Sequence, residues 1–577
     1  MRTCTTNFTK LFLFVVVGLA WFPIVSHATE RVSVDAEGNE SNGGGSDPAI
    51  SRDGRFVVFE SHATDLITGD TNGVQDLYAK DRQTGAIKRV SLTSMNGESN
   101  QDSDNQSISG DGSVIAFECY ASNMIALDPD GNADIYVYNE TLDQLEIVSI
   151  SEAGLKGNGD STDPSISNDG RYVAFESNAT NLVADDTNGR TDIFVYDRHD
   201  NTIERVSIKD LNTEANHHSR NAAISGDGRY VAFSSKASNL VDGDTNGRDD
   251  IFVHDRVSGT ITRVSISSGG SEADNGSNSP AVSSDGRFVA FQSSATNLVS
   301  GDTNATEDIF LKDLETGNLV RCSVDDSGIE GNGYSQDAAL SADGRFIAFK
   351  SYATNLVAGD TNVAGDIFVH DRIARETRRI SVDDSGTEAD GESFFPEISG
   401  DGRVVAFQSN ATNLVNGDLN NRSDIFTNGN PLFYQMINSV GKTAGTSTRK
   451  LLRLKARKGR AVRGVLKIRN NANSSDMAAV KGGSGNRLFT VTYSSSAGNI
   501  TGAFTSGSYT TPELNAGDSH FVSLVITPKK SKLQKKKRRA GRRIVKWLRK
   551  SYTLSLTSSS MADTTKIDTA TVKVLHR

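Results

Sequence analysis

The chain has 577 residues, 61 Lys+Arg against 72 Asp+Glu, and a formal net charge of −11. Its three cysteines exclude a disulfide-built scaffold, and a chain of this size can bury a core that needs none. The net charge hides a strong asymmetry. Residues 1–429 carry 32 basic and 67 acidic side chains, whereas 430–577 carry 29 basic and 5 acidic. Such a split points to charged partners, or to contact between the two regions.

Residues 1–28 have the pattern of a secretory signal. Arg2 and Lys10 give a positive start, Leu11 to Phe22 is apolar apart from Gly18, and Ser26-His27-Ala28 is a small-x-small cleavage site. The apolar run is short for a membrane span, so the mature chain is expected to lack a transmembrane segment. Its expected location is periplasmic or extracellular. Cys4 leaves with the signal. Cys119 and Cys322 are expected to be isolated thiols, because they fall in different repeats at different positions.

From residue 29 to 428 the chain repeats. An Asp-Gly pair places its glycine at Gly54, Gly112, Gly170, Gly228, Gly286, Gly344 and Gly402, always 58 residues apart. A fixed period of this size signals a propeller or a solenoid. Each copy holds four short β-rich runs separated by Asp, Asn and Gly. Pro164-Ser165-Ile166-Ser167 leads to an Asp-Gly turn, and Arg171 to Ser177 alternates. Asp192-Ile193-Phe194-Val195-Tyr196-Asp197 and Ile203 to Ile208 follow. Four strands make one propeller blade. The seventh copy lacks its fourth strand, and Arg31-Val32-Ser33-Val34 supplies it from the other end. The expected fold is therefore all-β: a seven-bladed β-propeller whose ring is closed by the N-terminal strand.

The motifs Ser-x-Asp-Gly-Arg-(Phe/Tyr)-Val-Ala-Phe and Asp-Ile-Phe-Val-x-Asp-Arg, as at 167–175 and 192–198, resemble those of the WD40-like, TolB-type bacterial β-propeller repeat (PD40) family. The resemblance covers roughly 30–428. It implies a propeller scaffold and protein or cell-envelope partners, but no particular activity.

The short turns join strands one to two and three to four, so they share one rim. The long loops join strands two to three and blade to blade, so they build the opposite face, which is acidic. Loops on a rigid scaffold are the usual place for binding.

Each long loop carries Asp-x-Asn-x-x-x-Asp or its Asp-x-Asp variant. The seven sets are Asp70, Asn72, Asp76; Asp128, Asp130, Asp134; Asp186, Asn188, Asp192; Asp244, Asn246, Asp250; Asp302, Asn304, Asp308; Asp360, Asn362, Asp366; and Asp418, Asn420, Asp424. Alternating oxygen ligands in a tight loop suit calcium. The pattern is similar to the calcium hairpins of integrin-type propellers, with one carboxylate fewer and two residues less. The competing reading is turn chemistry, since Asp and Asn bond their own backbone.

After a linker at 429–445, residues 446–577 are expected to form an antiparallel, immunoglobulin-like β-sandwich. Its strands are Val465–Ile468, Leu488–Tyr493, His520–Ile526, Tyr552–Leu556 and Ala570–Val574. A basic insertion, Lys529 to Lys550, has thirteen Lys or Arg in 22 residues. It is read as a solvated tip, as a contact to the acidic propeller face, or as a site for a polyanion or anionic membrane surface. No zinc-hydrolase, nucleophile-elbow, phosphate-loop or dinucleotide motif occurs, and there is no nucleic-acid motif. The functional expectation is a binding scaffold. The alternative is a propeller-type enzyme acting on a small or sugar-like ligand at the central channel.

Overall fold

The computed structural model describes residues 29–210 and 213–430 in full and, further on, the backbone of strands between Lys450 and His576. Seven four-stranded antiparallel sheets form between Glu30 and Gly429. Blade 1 is Ser46–Ile50, Phe56–Ser61, Asp76–Asp81 and Ile87–Arg89, paired in that order. Blade 7 is closed from the other end of the chain. Glu30–Arg31 pairs with Asp424–Gly429, and the Val32 amide donates to the Ile425 carbonyl at 2.7 Å. The seven-bladed ring and its N-terminal closure are thus as the repeat predicts. The third strand of blade 7 runs to Gly429, and Asn430 donates to Gly402 and Arg403 carbonyls. The propeller therefore extends two residues past the expected boundary at 428.

The core lies between blades. Val57, Val58 and Phe59 are all fully buried. Val57 and Phe59 pack with Val404, Ala406 and Ile425 of blade 7, and Val58 packs with Ile115 and Phe117 of blade 2. Both faces of these strands are covered, so they read as unbroken apolar runs. Each second strand also stacks an aromatic ring on the third, as Phe175 does on Phe194 with centroids 6.0 Å apart.

The Asp-Gly turn keeps its glycine for two reasons. Gly228 has φ +73°, and a Cβ there would lie 2.1 Å from the Tyr172 ring of the preceding blade. Backbone sign and space both demand glycine.

The first strands line the channel as edge strands, where the missing amides of Pro48, Pro164, Pro280 and Pro396 leave no ladder bond unmade. Each carries a register shift, such as that between Thr162 and Ser165. The residue at the bulge has positive φ in all seven blades: Asp47, Asn105, Asp163, Asn221, Ser279, Asp337 and Phe395.

Cys119 and Cys322 are buried and free. Beyond the propeller, backbone strands run over Val462–Arg469, Phe489–Ser495, Ser519–Pro528, Ser551–Ser560 and Ile567–His576. Lys450–Ala456, Ala478–Gly482, Gly498–Asn499 and Tyr509–Thr510 are additional. The strands make two sheets, and one pairing, Lys450–Ala456 with Ile567–His576, is parallel rather than antiparallel. The signal segment 1–28 and the basic segment 529–550 lie outside the described residues. Among the described residues no helix is long and apolar enough to cross a membrane.

Candidate functional site

The long-loop face is held by one cluster per blade. In blade 3, Asp186 and Asp192 converge on Arg205, whose Nη1 lies 3.2 and 3.5 Å from them and 2.6 Å from Glu214. Ser207 Oγ donates to Asp192 at 2.5 Å and accepts the Ile193 amide. Glu214 accepts both the amide and the hydroxyl of Thr187, at 2.8 and 2.6 Å. This carboxylate fastens the blade-to-blade loop onto the loop between strands two and three.

The middle residue of the motif turns away. Asn188 Oδ1 accepts the Arg190 amide at 2.7 Å, and its Nδ2 donates to Asp192 and the Ala215 carbonyl. That is an Asx turn. Asn72, Asn246, Asn304, Asn362 and Asn420 accept the amide two residues on in the same way. The last aspartates, such as Asp76, open the third strands.

The arrangement recurs around Arg89 with Asp70, Asp76 and Glu98, and around Arg263 with Asp244, Asp250 and Glu272. Arg321 holds Asp302, Asp308 and Glu330, and Arg379 holds Asp360, Asp366 and Glu388. In blade 7, Arg31 and Glu40 come from the N-terminal segment to meet Asp418 and Asp424. Blade 2 differs. Ile147 replaces the arginine, and Lys156 replaces the glutamate. Lys156 Nζ lies 3.3, 2.5 and 2.9 Å from Asp128, Asp130 and Asp134.

These clusters bear on calcium. In four blades, three carboxylates bring oxygens within 4.8 Å of one another: Glu40, Asp418, Asp424; Asp128, Asp130, Asp134; Asp302, Asp308, Glu330; and Asp360, Asp366, Glu388. Calcium takes about six to eight oxygens. A guanidinium or ammonium nitrogen already stands among them, and the asparagine oxygens face backbone amides. The residues present therefore suit a side-chain cation better than a metal ion.

Burial pushes the first aspartate of the motif up to about 6 in Asp186, Asp244, Asp302, Asp360 and Asp418. Neither oxygen of Asp186 or Asp244 receives a hydrogen bond. In blades 1 and 2 a tyrosine hydroxyl serves this aspartate: Tyr78 donates to Asp70, and Tyr136 donates to Asp128 at 2.5 Å. Later blades have phenylalanine there, from Phe194 to Phe426.

The channel mouth on this face behaves differently, because its residues change from blade to blade. The cavity is about 370 Å³. Asp47 is pushed up to about 7 by burial and by Glu397, Asp163, Asp337 and Asp104. Burial, then Asp47, takes Glu60 up to about 8. Glu176 and Glu397 rise to about 7, burial being the leading cause in both. Across the mouth, blades 6 and 7 present aromatic rings. Tyr334 stacks on Tyr352 at 4.3 Å, and Lys350 Nζ lies 4.0 Å from the Phe394 centroid and 2.8 Å from Glu392. Tyr334 and Phe395 are 41% and 44% exposed.

Sequence reasoning found the aspartates and missed their cations. The available signal was an Arg nine residues before a Glu, repeated at the 58-residue period and altered at both positions in blade 2. His217 and His218 are half-buried, and His218 Nδ1 accepts the Thr191 amide at 3.0 Å.

Fold and clusters together define the class: a seven-bladed all-β propeller. No family model matches this sequence, and no curated protein matches it. Similar solved structures include TolB from Acinetobacter baumannii, at 16% identity and a TM-score of 0.32, over 52% of this chain and 58% of that one. A putative TolB from Agrobacterium tumefaciens is 15% identical with a TM-score of 0.33, over 62% of this chain and 98% of that one. A prolyl endopeptidase is 12% identical with a TM-score of 0.41, over 78% and 54%. The chain spans 58% of the Acinetobacter protein's length.

Proposed function

We propose that this protein is a secreted or periplasmic scaffold that binds a protein or cell-envelope partner through its long-loop face. The observation that carries the reading is where the repeat breaks. Cluster residues keep their charge balance in every blade, because they hold the loops. Mouth residues are freed from that duty and vary: Glu60, Glu118, Glu176, Ser234, Gln292, Lys350 and Gln408 occupy one repeat position. Exposed aromatic side chains beside charged groups are the usual chemistry of a contact surface. A photoreactive residue at Tyr334 should crosslink a partner in isolated envelopes, and one at Thr84 on the short-turn rim should not. Equal crosslinking at both sites, or none, would sink the proposal.

The location rests on residues 1–28. The basic segment 529–550 enters as a second contact, to a polyanion or an anionic membrane surface, and its binding should fall steeply with salt. Calcium enters only as a competitor of the resident cations.

One observation favours a second reading, an enzyme acting on a small or sugar-like ligand at the channel. Asp47, Glu60, Glu176 and Glu397 hold protons near neutrality, as a general acid must. Turnover of a small ligand that is abolished by Glu60→Gln alone would support the enzyme over the scaffold.

A further inference from the structure

Thr29, the residue after the predicted cleavage site, immediately precedes the strand Glu30–Arg31 that closes the ring. Thr29 is 8% exposed, and its backbone nitrogen donates to Asp384 Oδ1 at 2.8 Å. Its hydroxyl donates to the Val382 carbonyl at 2.6 Å and accepts from Asn428 Nδ2 at 2.9 Å. This is where the last blade is tied to its neighbour.

The repeat supplies two internal controls. In blade 6 the equivalent residue is Thr377, in mid-chain. Its amide donates to Asp326 at 2.9 Å, and its hydroxyl donates to the Val324 carbonyl at 2.5 Å. Asp326 also has a counter-ion, Arg378, at 3.0 Å. In blade 5 the acceptor is neutral: Ser268 Oγ takes the Leu319 amide at 3.1 Å. Blade 7 combines the aspartate of blade 6 with no side-chain cation. The position of Arg378 is held by Glu30, and Glu30 is engaged by Arg82 at 2.9 Å. Among the described residues no Lys, Arg or His makes an ion pair with Asp384.

We propose that hydrolysis of the Ala28–Thr29 bond supplies the missing charge, and that the new α-ammonium of Thr29 is the counter-ion of Asp384. A leader peptidase adds water across that peptide bond. The carbonyl carbon of Ala28 takes the hydroxyl, the Thr29 nitrogen takes the hydrogen, and the amine then binds a proton from solvent. Processing thereby converts a neutral hydrogen bond into a charged one at the seam of the ring. Charge-assisted bonds are roughly twice as strong as neutral ones. Cleavage one residue later would remove the Thr29 hydroxyl from Val382. Cleavage one residue earlier would leave the Thr29 nitrogen an amide.

The ammonium's pKa should be raised above the ordinary α-amino value of about 7.7–8.0. The sign follows from the partner. Stability from the pair is complete below the unfolded pKa and is lost as pH rises through the higher folded one.

The test begins with the amino terminus of the secreted protein, by mass and sequencing, where Thr29 is expected. Full-length mature chain starting at Thr29 is then compared with chain that keeps Ala28. The rate of α-amine acylation is followed against pH, in each case with Asp384 or with Asp384→Ser, the acceptor that blade 5 uses. A rise of one unit in pKa leaves about tenfold less free amine. Asp384→Ser should therefore speed acylation about tenfold at pH 7.5 in the Thr29 chain and leave the Ala28 chain unchanged. A mature start elsewhere, or an amine whose reactivity ignores Asp384, would overturn the proposal.

Discussion

In six blades the cation between the loop aspartates is an arginine, placed so that a glutamate nine residues on completes the set. In blade 2 the arginine position is Ile147, the glutamate position is Lys156, and the asparagine of the loop is Asp130. Three substitutions together keep three carboxylates and one cation, now with Nζ of Lys156 in the role of the guanidinium. What the blades share is the charge count, and the identity of the cation is free to change. This is the behaviour of a structural lock.

The largest effect should come from breaking that count. Lys156→Glu leaves four carboxylates with no cation, and the lysine side chain is only 9% exposed. Removing one partner of a buried ion pair costs about 3–5 kcal/mol, and chemical denaturation should show a loss of this size. Adding Ile147→Arg should restore most of it, by rebuilding the arrangement of the other blades. A double variant no more stable than the single one would mean that charge count is not what the blades preserve.

Calcium sharpens the same comparison. In the wild-type protein, excess calcium and a chelator should give the same melting temperature, because Arg205 already stands among Asp186, Asp192 and Glu214. Arg205→Ala vacates that place. Calcium at a hundredfold over its dissociation constant should then stabilise the variant by about 2.7 kcal/mol. A calcium-dependent shift in the wild-type protein would restore the metal reading of these loops.

The contrast between lock and channel also explains what was legible beforehand. The 58-residue ruler carries the blade number and the ring closure, because Gly54 and its six equivalents all have positive φ, and at the six equivalents a Cβ would also collide with the preceding blade. The loop aspartates were visible as a pattern, but their chemistry was not. An arginine such as Arg89, alone among polar residues in a short strand, reads as solvent-facing, and its partner Asp70 is nineteen positions earlier. The channel was less legible still. Ser161-Thr162-Asp163 does not alternate, since the bulge at Asp163 breaks the two-residue period, so the first strand was read as starting at Pro164. Mouth residues such as Lys350 and Phe395 sit at repeat positions whose residue type changes from blade to blade, and only the folded ring brings them together.

The smallest effect should come from the difference between blades 1 and 2 and the rest. Tyr78 and Tyr136 donate to the first aspartate, whereas Phe194 leaves both oxygens of Asp186 without a hydrogen bond. Phe194→Tyr places a hydroxyl where those two blades have one, beside a carboxylate that is 7% exposed. A hydrogen bond to a charged group is worth about 1.5–3 kcal/mol, less the cost of fitting the added oxygen. A net gain of about 1 kcal/mol is the expected size. Its pH dependence identifies the cause. Burial raises Asp186 to about 6, so its contribution to stability is complete below the unfolded value of about 4 and is lost as pH rises through 6. A donor to the ionised carboxylate lowers the folded value and so removes part of that loss. The gain from Phe194→Tyr should therefore be small at pH 4 and full at pH 7. A gain that is the same at both pH values would assign the effect to packing, and the charge comparison between the blades would lose its support at this position.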